Sequence, residues 1–219
     1  VCDVAVVYAT IDRELGKKGI TAFIIDKGTK GFRAGHKEDK LGLRASDTTE
    51  LILEDCELPA SQRLGDEGHG FYDAMMTLDG GRISIAALGL GIAQGAFEAA
   101  VKYSREREQF GQPICNFQAI QWKIADMATR LDAARLLTYR AAHAKDQGGR
   151  YGEEAAMAKL FASEASHVIT NDAVQIFGGN GYSKEYPVER HFRDAKITEI
   201  YEGTSEAQRM VIAAAELRK

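Results

Sequence analysis

The apolar positions of this chain change period once, close to residue 66. Before that point they form short runs or alternate with polar residues. Asp3-Val4-Ala5-Val6-Val7-Tyr8 is rich in β-branched residues, and Ile20-Thr21-Ala22-Phe23-Ile24-Ile25-Asp26 follows a Gly-Lys-Lys-Gly turn. Thr49-Glu50-Leu51-Ile52-Leu53-Glu54 alternates, and Gly28, Gly31, Gly35 and Gly42 punctuate the connections. A parallel sheet would need crossover helices, and the connections leave no room for them. Hairpins, a small sandwich or a barrel fit better.

From Gly68 onward the spacing is helical. The first long helix has a seam at Phe71, Met75, Leu78, Ile85, Ile92, Ala96 and Ala99, with Arg82 standing on it and Asp79 one turn back. It ends in the charged run Tyr103-Ser104-Arg105-Glu106-Arg107-Glu108-Gln109-Phe110-Gly111, with Pro113 as a stop. A second helix carries Phe117, Ile120, Ile124, Met127, Leu131 and Ala134 and is broken by Gly148-Gly149. A third runs from about residue 153 to Phe177, a short one starts at Tyr186-Pro187, and a last one follows residue 204, where Ser205 and Gln208 fit a capping box. The fold expected is α+β: a partial antiparallel β domain over residues 1–66, then a C-terminal four-helix bundle over 67–219.

Composition narrows the function classes. The 219 residues are 45% hydrophobic and 27% charged with net charge −4, an ordinary globular make-up, and 28 basic against 32 acidic residues argue against a nucleic-acid binder. No uninterrupted apolar run is long enough to span a bilayer, and no signal-peptide pattern opens the chain. Cys2, Cys56 and Cys115 are widely spaced and form no CxxC, which predicts free thiols and a reducing compartment. The histidines are scattered without an HExxH, so no metal site is expected. Gly89-Leu90-Gly91-Ile92-Ala93-Gln94-Gly95 lacks the dinucleotide spacing and follows no strand; small residues in mid-helix serve close helix packing. Val1 already lies inside a strand pattern, so the chain reads as part of a longer protein.

Candidate chemistry concentrates near the C-terminus. In Ile200-Tyr201-Glu202-Gly203-Thr204-Ser205 a carboxylate sits between an aromatic residue and a glycine at the start of a helix. Such a Glu can decorate a helix start or be held for chemistry. A glycine-rich turn, Gln175-Ile176-Phe177-Gly178-Gly179-Asn180-Gly181-Tyr182, lies close upstream. Arg82 with Asp79 is either a surface ion pair or a ligand group on a buried stripe. Arg107 is either part of a solvated helix end or a phosphate ligand.

Six stretches together resemble the acyl-CoA dehydrogenases, particularly the short-chain (butyryl-CoA) type. They are residues 19–23, 40–46, 78–83, 107–111, 175–182 and 200–204, in the family's order and across essentially the whole chain. The resemblance implies that residues 1–66 are most of a middle β domain, that 67–219 are the C-terminal helical domain, and that an N-terminal helical domain is missing. It implies oxidation of an acyl-CoA to its trans-2-enoyl-CoA, with Glu202 taking the α proton, hydride passing to N5 of FAD, and electrons going on to electron-transferring flavoprotein. The enolate would be stabilised by a ribityl hydroxyl of FAD and the backbone N–H of Glu202. Tyr201 and Gly203 would line the thioester slot, and Asp79 and Arg82 would contact the CoA portion.

The same resemblance assigns Arg107, Gln109, Phe110 and Gln118 to FAD. Gln175, Gly178 and Gly179 would hold the cofactor of a neighbouring subunit in a homotetramer, and Thr204 and Glu206 would lie on its far side. Glu206 departs from the Gln common in medium-chain relatives, which puts a side-chain amide contact there in doubt. In isovaleryl- and long-chain-type members the base stands where this chain has Gly81, so Glu202 matches the short- and medium-chain arrangement. Bacterial cytoplasm and mitochondrial matrix both fit, and the isolated chain is expected to be inactive. The alternatives are an acyl-CoA oxidase, a branched or aromatic acyl-CoA dehydrogenase, and a non-catalytic helical oligomerisation module.

Overall fold

The computed structural model describes residues 3–219; Cys2 lies outside them, and Cys56 and Cys115 are free thiols. Two compact units divide between Leu78 and Asp79. In the first, β1 (Val4–Thr10) pairs antiparallel with β2 (Ile20–Asp26) in an unbroken register from Val4↔Asp26 to Thr10↔Ile20. β3 (Phe32–Lys37) and β4 (Thr49–Leu53) form a separate antiparallel ladder. β5 (Arg63–Leu64) joins the other edge of β2. Every pairing is antiparallel, as the short connections require. The central strand β2 is the buried one, with Thr21, Ala22 and Ile25 each 1% exposed.

The first long helix, α1 (Gly70–Glu106), crosses the division. The second unit then adds the hairpin strands β6 (Glu108–Gln109) and β7 (Gln112–Pro113), α2 (Gln118–Asp146), α3 (Gly152–Phe177), α4 (Val188–Ala195) and α5 (Ser205–Glu216). α3 packs against α2, α4 and α5 and is buried on nearly all sides, the mark of a central helix. Its buried positions are mostly alanine and serine, so its neighbours approach closely. The α2 seam is as expected: Met127, Leu131 and Ala134 are buried, and Ile120 and Ile124 pack against the core.

The α1 seam differs from the expected one. Ala86, Gly89, Ala93, Ala96 and Ala100 form the buried stripe, whereas Ile85 and Ile92 are only half-buried and Met75 is exposed. Closeness of approach selects this face rather than side-chain size. A Cβ built on Gly89 would already lie 3.4 Å from the backbone oxygen of Ala162 on α3. Arg82 continues this stripe, one turn before Ala86.

By length and composition α1 is long and apolar enough to cross a membrane, a test that a core helix of a globular protein also passes. Its alanines add to that apolar character while serving, with Gly89, as the packing stripe.

Candidate active site

The corner between α4 and α5 is built on reversed backbone torsions. Glu202 (φ 55°) and Gly203 (φ 88°) are consecutive residues in the left-handed region. For a non-glycine residue that conformation costs roughly 1–2 kcal/mol. Gly203 is required twice over, because a Cβ there would also stand 2.6 Å from Gln208 Nε2.

The capping box expected at Ser205 is not formed. Thr204 is the N-cap, and its hydroxyl accepts from the Ala207 N–H at 3.3 Å. Ser205 is the first helical residue, with its Oγ buried and unpartnered among the described residues. Gln208 turns back on the corner instead, its Nε2 donating to the carbonyls of Glu202 at 3.1 Å and Gly203 at 2.9 Å.

This corner lays the Glu202 carboxylate against α1. A Cβ built on Gly81 would lie 2.5 Å from Glu202 Oε2 and 3.0 Å from its carboxyl carbon, so a side chain there would displace the carboxylate. Oε2 is buried and has no hydrogen-bond partner among the described residues. That oxygen is therefore withdrawn from water and meets no competing donor among the described residues. Burial, reinforced by the charge of Glu202, pushes the Tyr201 phenol above its ordinary value, so it remains a neutral hydroxyl beside the carboxylate.

Next to Gly81 on α1, Arg82 donates to Asp79, one turn back, at 2.5 Å. Its side chain is 13% exposed, and its Nε is buried without a partner among the described residues. The ion pair thus exists and still leaves a donor unused, so the two readings of Arg82 are compatible.

Sequence reasoning missed Lys159. It is 0% exposed on α3, and its Nζ donates to the Gly203 carbonyl at 2.6 Å. The available signal was a single lysine inside a stretch of α3 whose other buried positions are alanine, Ala155, Ala156, Ala158 and Ala162. A charge at such a position needs a partner.

The remaining expected site residues are spread over two concavities and the exposed surface. α1 ends at Glu106, and Arg107 enters the β6–β7 hairpin, whose two loop residues Phe110 (φ 53°) and Gly111 (φ 79°) are both left-handed, as a type I′ turn demands. The charged run read as a helix end is thus partly a hairpin, and Phe110 stands 91% exposed at its tip. Arg107 and Gln109 line a concavity of about 390 Å³ with Gly178 and Gly179, floored by Tyr103 and Phe177. Those rings stack at 4.0 Å, and Asn180 Nδ2 donates to Tyr103 Oη at 2.8 Å, which fixes the glycine turn at the end of α3.

Thr204 and Glu206 line a different concavity of about 370 Å³ with Glu164, His167 and Glu199. Hydrogen bonds from its own backbone N–H and then from Thr204 hold Glu206 below the usual carboxylate range, so it presents acceptors only. Gln118, Gln175 and Phe110 are exposed and line neither concavity.

Comparison with known proteins gives these features a common origin. Residues 68–217 match the family model described as acyl-CoA dehydrogenase, C-terminal domain. The short-chain-specific acyl-CoA dehydrogenase of Megasphaera elsdenii is 55% identical over 216 residues, covering 99% of this chain and 56% of that protein. The solved butyryl-CoA dehydrogenase structure from M. elsdenii superposes with a TM-score of 0.97 at 54% identity, over 99% of this chain and 56% of that one. A chain in a structure described as the electron transferring flavoprotein of Acidaminococcus fermentans gives 0.98 at 57% identity, over 100% of this chain and 57% of that one. The chain spans about half the length of the curated relatives it matches. With the family model covering most of its length and the Glu202 corner in place, the chain belongs to the acyl-CoA dehydrogenase family.

Proposed function

We propose that the complete enzyme is a flavin-dependent short-chain acyl-CoA dehydrogenase that converts a butyryl-CoA-like thioester to its trans-2-enoyl-CoA. The observation that carries this is the Glu202 carboxylate, whose Oε2 is buried with no hydrogen-bond partner among the described residues, facing Gly81 from a strained corner. Glu202 would take the proton from the carbon beside the thioester. Such a carbon is a weak acid, so the base must be positioned and shielded from water; the corner positions it and buries its Oε2. Tyr201 and Gly203 flank the slot. Arg82, with one buried donor unused among the described residues and Asp79 orienting it, would hold the CoA portion.

The residues fit FAD. The Arg107 guanidinium and Gln109 amide share a concavity with a glycine turn where a Cβ on Gly178 or Gly179 would meet no atom within 4 Å, leaving the backbone open to a bulky anionic ligand. Arg107, Gln109, Phe110, Gln118, Gln175, Gly178 and Gly179 would hold it, with Thr204 and Glu206 on its far side. Bound FAD supplies the hydride acceptor. These residues are split between two concavities or exposed on the surface, which supports a site completed between subunits of a homotetramer. Likeness to the A. fermentans chain supports electron-transferring flavoprotein as the electron partner, and the family's bacterial and mitochondrial members support bacterial cytoplasm or mitochondrial matrix. We assign residues 1–66 to the middle β domain and 67–219 to the helical-bundle domain.

The test is anaerobic titration of the complete, FAD-loaded enzyme with acyl-CoAs of rising chain length. Flavin absorbance should bleach most completely with the four-carbon thioester. No bleaching with any saturated acyl-CoA would overturn the assignment. In the same enzyme, Arg82→Ala is expected to weaken CoA-ester binding by about ten- to a hundredfold, the range for losing a hydrogen bond to a charged group. Turnover at saturation should change far less. Unchanged affinity would make Arg82 a structural residue only.

A further inference from the structure

We propose that Lys159 and Gln208 form a backbone clamp that positions Glu202. Both side chains are fully buried, and they converge on one carbonyl: Lys159 Nζ reaches the Gly203 oxygen at 2.6 Å and Gln208 Nε2 reaches it at 2.9 Å. Gln208 also holds the Glu202 carbonyl, at 3.1 Å. The clamp therefore grips the two peptide units whose torsions are left-handed. The inference rests on the assignment of Glu202 as the base.

Three observations support it. First, the Glu202 Oε2 atom has no hydrogen bond of its own among the described residues, so its position is set through its backbone. Second, a left-handed non-glycine residue persists only where its surroundings over-determine it, and here the surroundings are these two donors from α3 and α5. Third, burying an amine at this point of α3 is not what stability alone would select. Desolvation lowers the Lys159 pKa, with Arg82 adding to the effect and Glu199, Glu202 and Glu206 opposing it. An apolar residue of similar length can replace a buried charge with little loss of stability. A costly group kept beside a strained corner fits a functional constraint.

The linkage has a definite sign. The folded-state pKa lies below the unfolded value, so between the two the unfolded chain binds more protons and stability rises with pH. Burial of the protonated amine thus opposes folding below that window. Lys159→Met removes that opposition together with one hydrogen bond, so the change is expected to separate stability from turnover.

The experiment uses the complete, FAD-loaded enzyme. Lys159→Met should keep its flavin content and its melting temperature within a few degrees of the wild type, while kcat falls by about a hundredfold, as for a catalytic group displaced by about 1 Å. KM should change much less than kcat. Amide hydrogen exchange in the peptide covering residues 200–205 should become faster, with the rest of α3 unchanged. Gln208→Leu, which removes the second donor, should show the same pattern.

Wild-type exchange at 200–205 together with kcat within about threefold of wild type, in either folded variant, would overturn the clamp. Loss of the folded bundle in both variants would also overturn it, by making the pair structural. Failure of the base assignment reads differently: Glu202→Gln would stay active while Lys159→Met still loosened the corner.

Discussion

Replacing Glu202 by Gln in the complete, FAD-loaded enzyme is expected to lower turnover by about 10³–10⁴-fold, toward the upper end of what general-base catalysis contributes. The substitution isolates the chemistry. Glutamine has the same shape, so it can occupy the space over Gly81 that admits the carboxylate. It cannot accept the α proton at any working pH. Because Oε2 makes no hydrogen bond among the described residues, the amide breaks no interaction and no stability loss should follow. The backbone of residue 202 and its Gln208 contact are unaffected, so flavin content and binding of the enoyl-CoA product should persist. Rapid-mixing measurement of flavin reduction, beside a product titration, separates the two effects. Reduction at the wild-type rate would remove Glu202 from its role.

The second large effect is expected at Gly81, a residue that carries no functional group. A methyl there would sit 2.5 Å from Glu202 Oε2 and 3.0 Å from its carboxyl carbon, closer than atoms pack. The far end of a flexible side chain gives way more readily than backbone, so the carboxylate moves and α1 does not. Gly81→Ala should therefore leave the melting temperature nearly unchanged, and the gain in helix propensity of about 1 kcal/mol offsets residual crowding. Turnover should fall by about a hundredfold, because displacement by about 1 Å is enough to misalign a base with a carbon acid. Thermal melts and steady-state kinetics on one preparation check both halves. Unimpaired turnover would mean that the carboxylate does not work from its place beside Gly81.

These two changes show different depths of legibility. The Tyr201-Glu202-Gly203 corner could be picked out from the sequence because an acidic residue, a glycine and a helix start lie within a few positions. The partnership of Gly81 with the Glu202 carboxylate could not, since a glycine in mid-helix has many uses. Spacing showed Arg82 and Asp79 as neighbours, but the buried Nε, unpaired among the described residues, appears only in the folded chain. Lys159 stood in plain view in α3, but an alanine-rich helix gives no sign of which element faces each of its sides. The expected cap at Ser205 failed for a local reason: Ser205 already has helical geometry, and the extended residue before it, Thr204, is the one whose hydroxyl meets the Ala207 N–H.

The sequence by itself determined the switch from period-2 to helical spacing, the antiparallel pairing and the approximate helix ends. It also determined the composition of the corner that carries Glu202. Each of these depends on spacing over a few residues, where hydrophobic period and turn chemistry act directly. Only the tertiary structure decided that the alanine stripe of α1 rather than its isoleucines would be buried, that Arg107 would share a concavity with the glycine turn, and that Lys159 and Gln208 would close on one carbonyl. Those outcomes depend on how closely helices approach and on the sign of φ at particular residues. Both are set by contacts between elements far apart in the chain, and no local pattern encodes them.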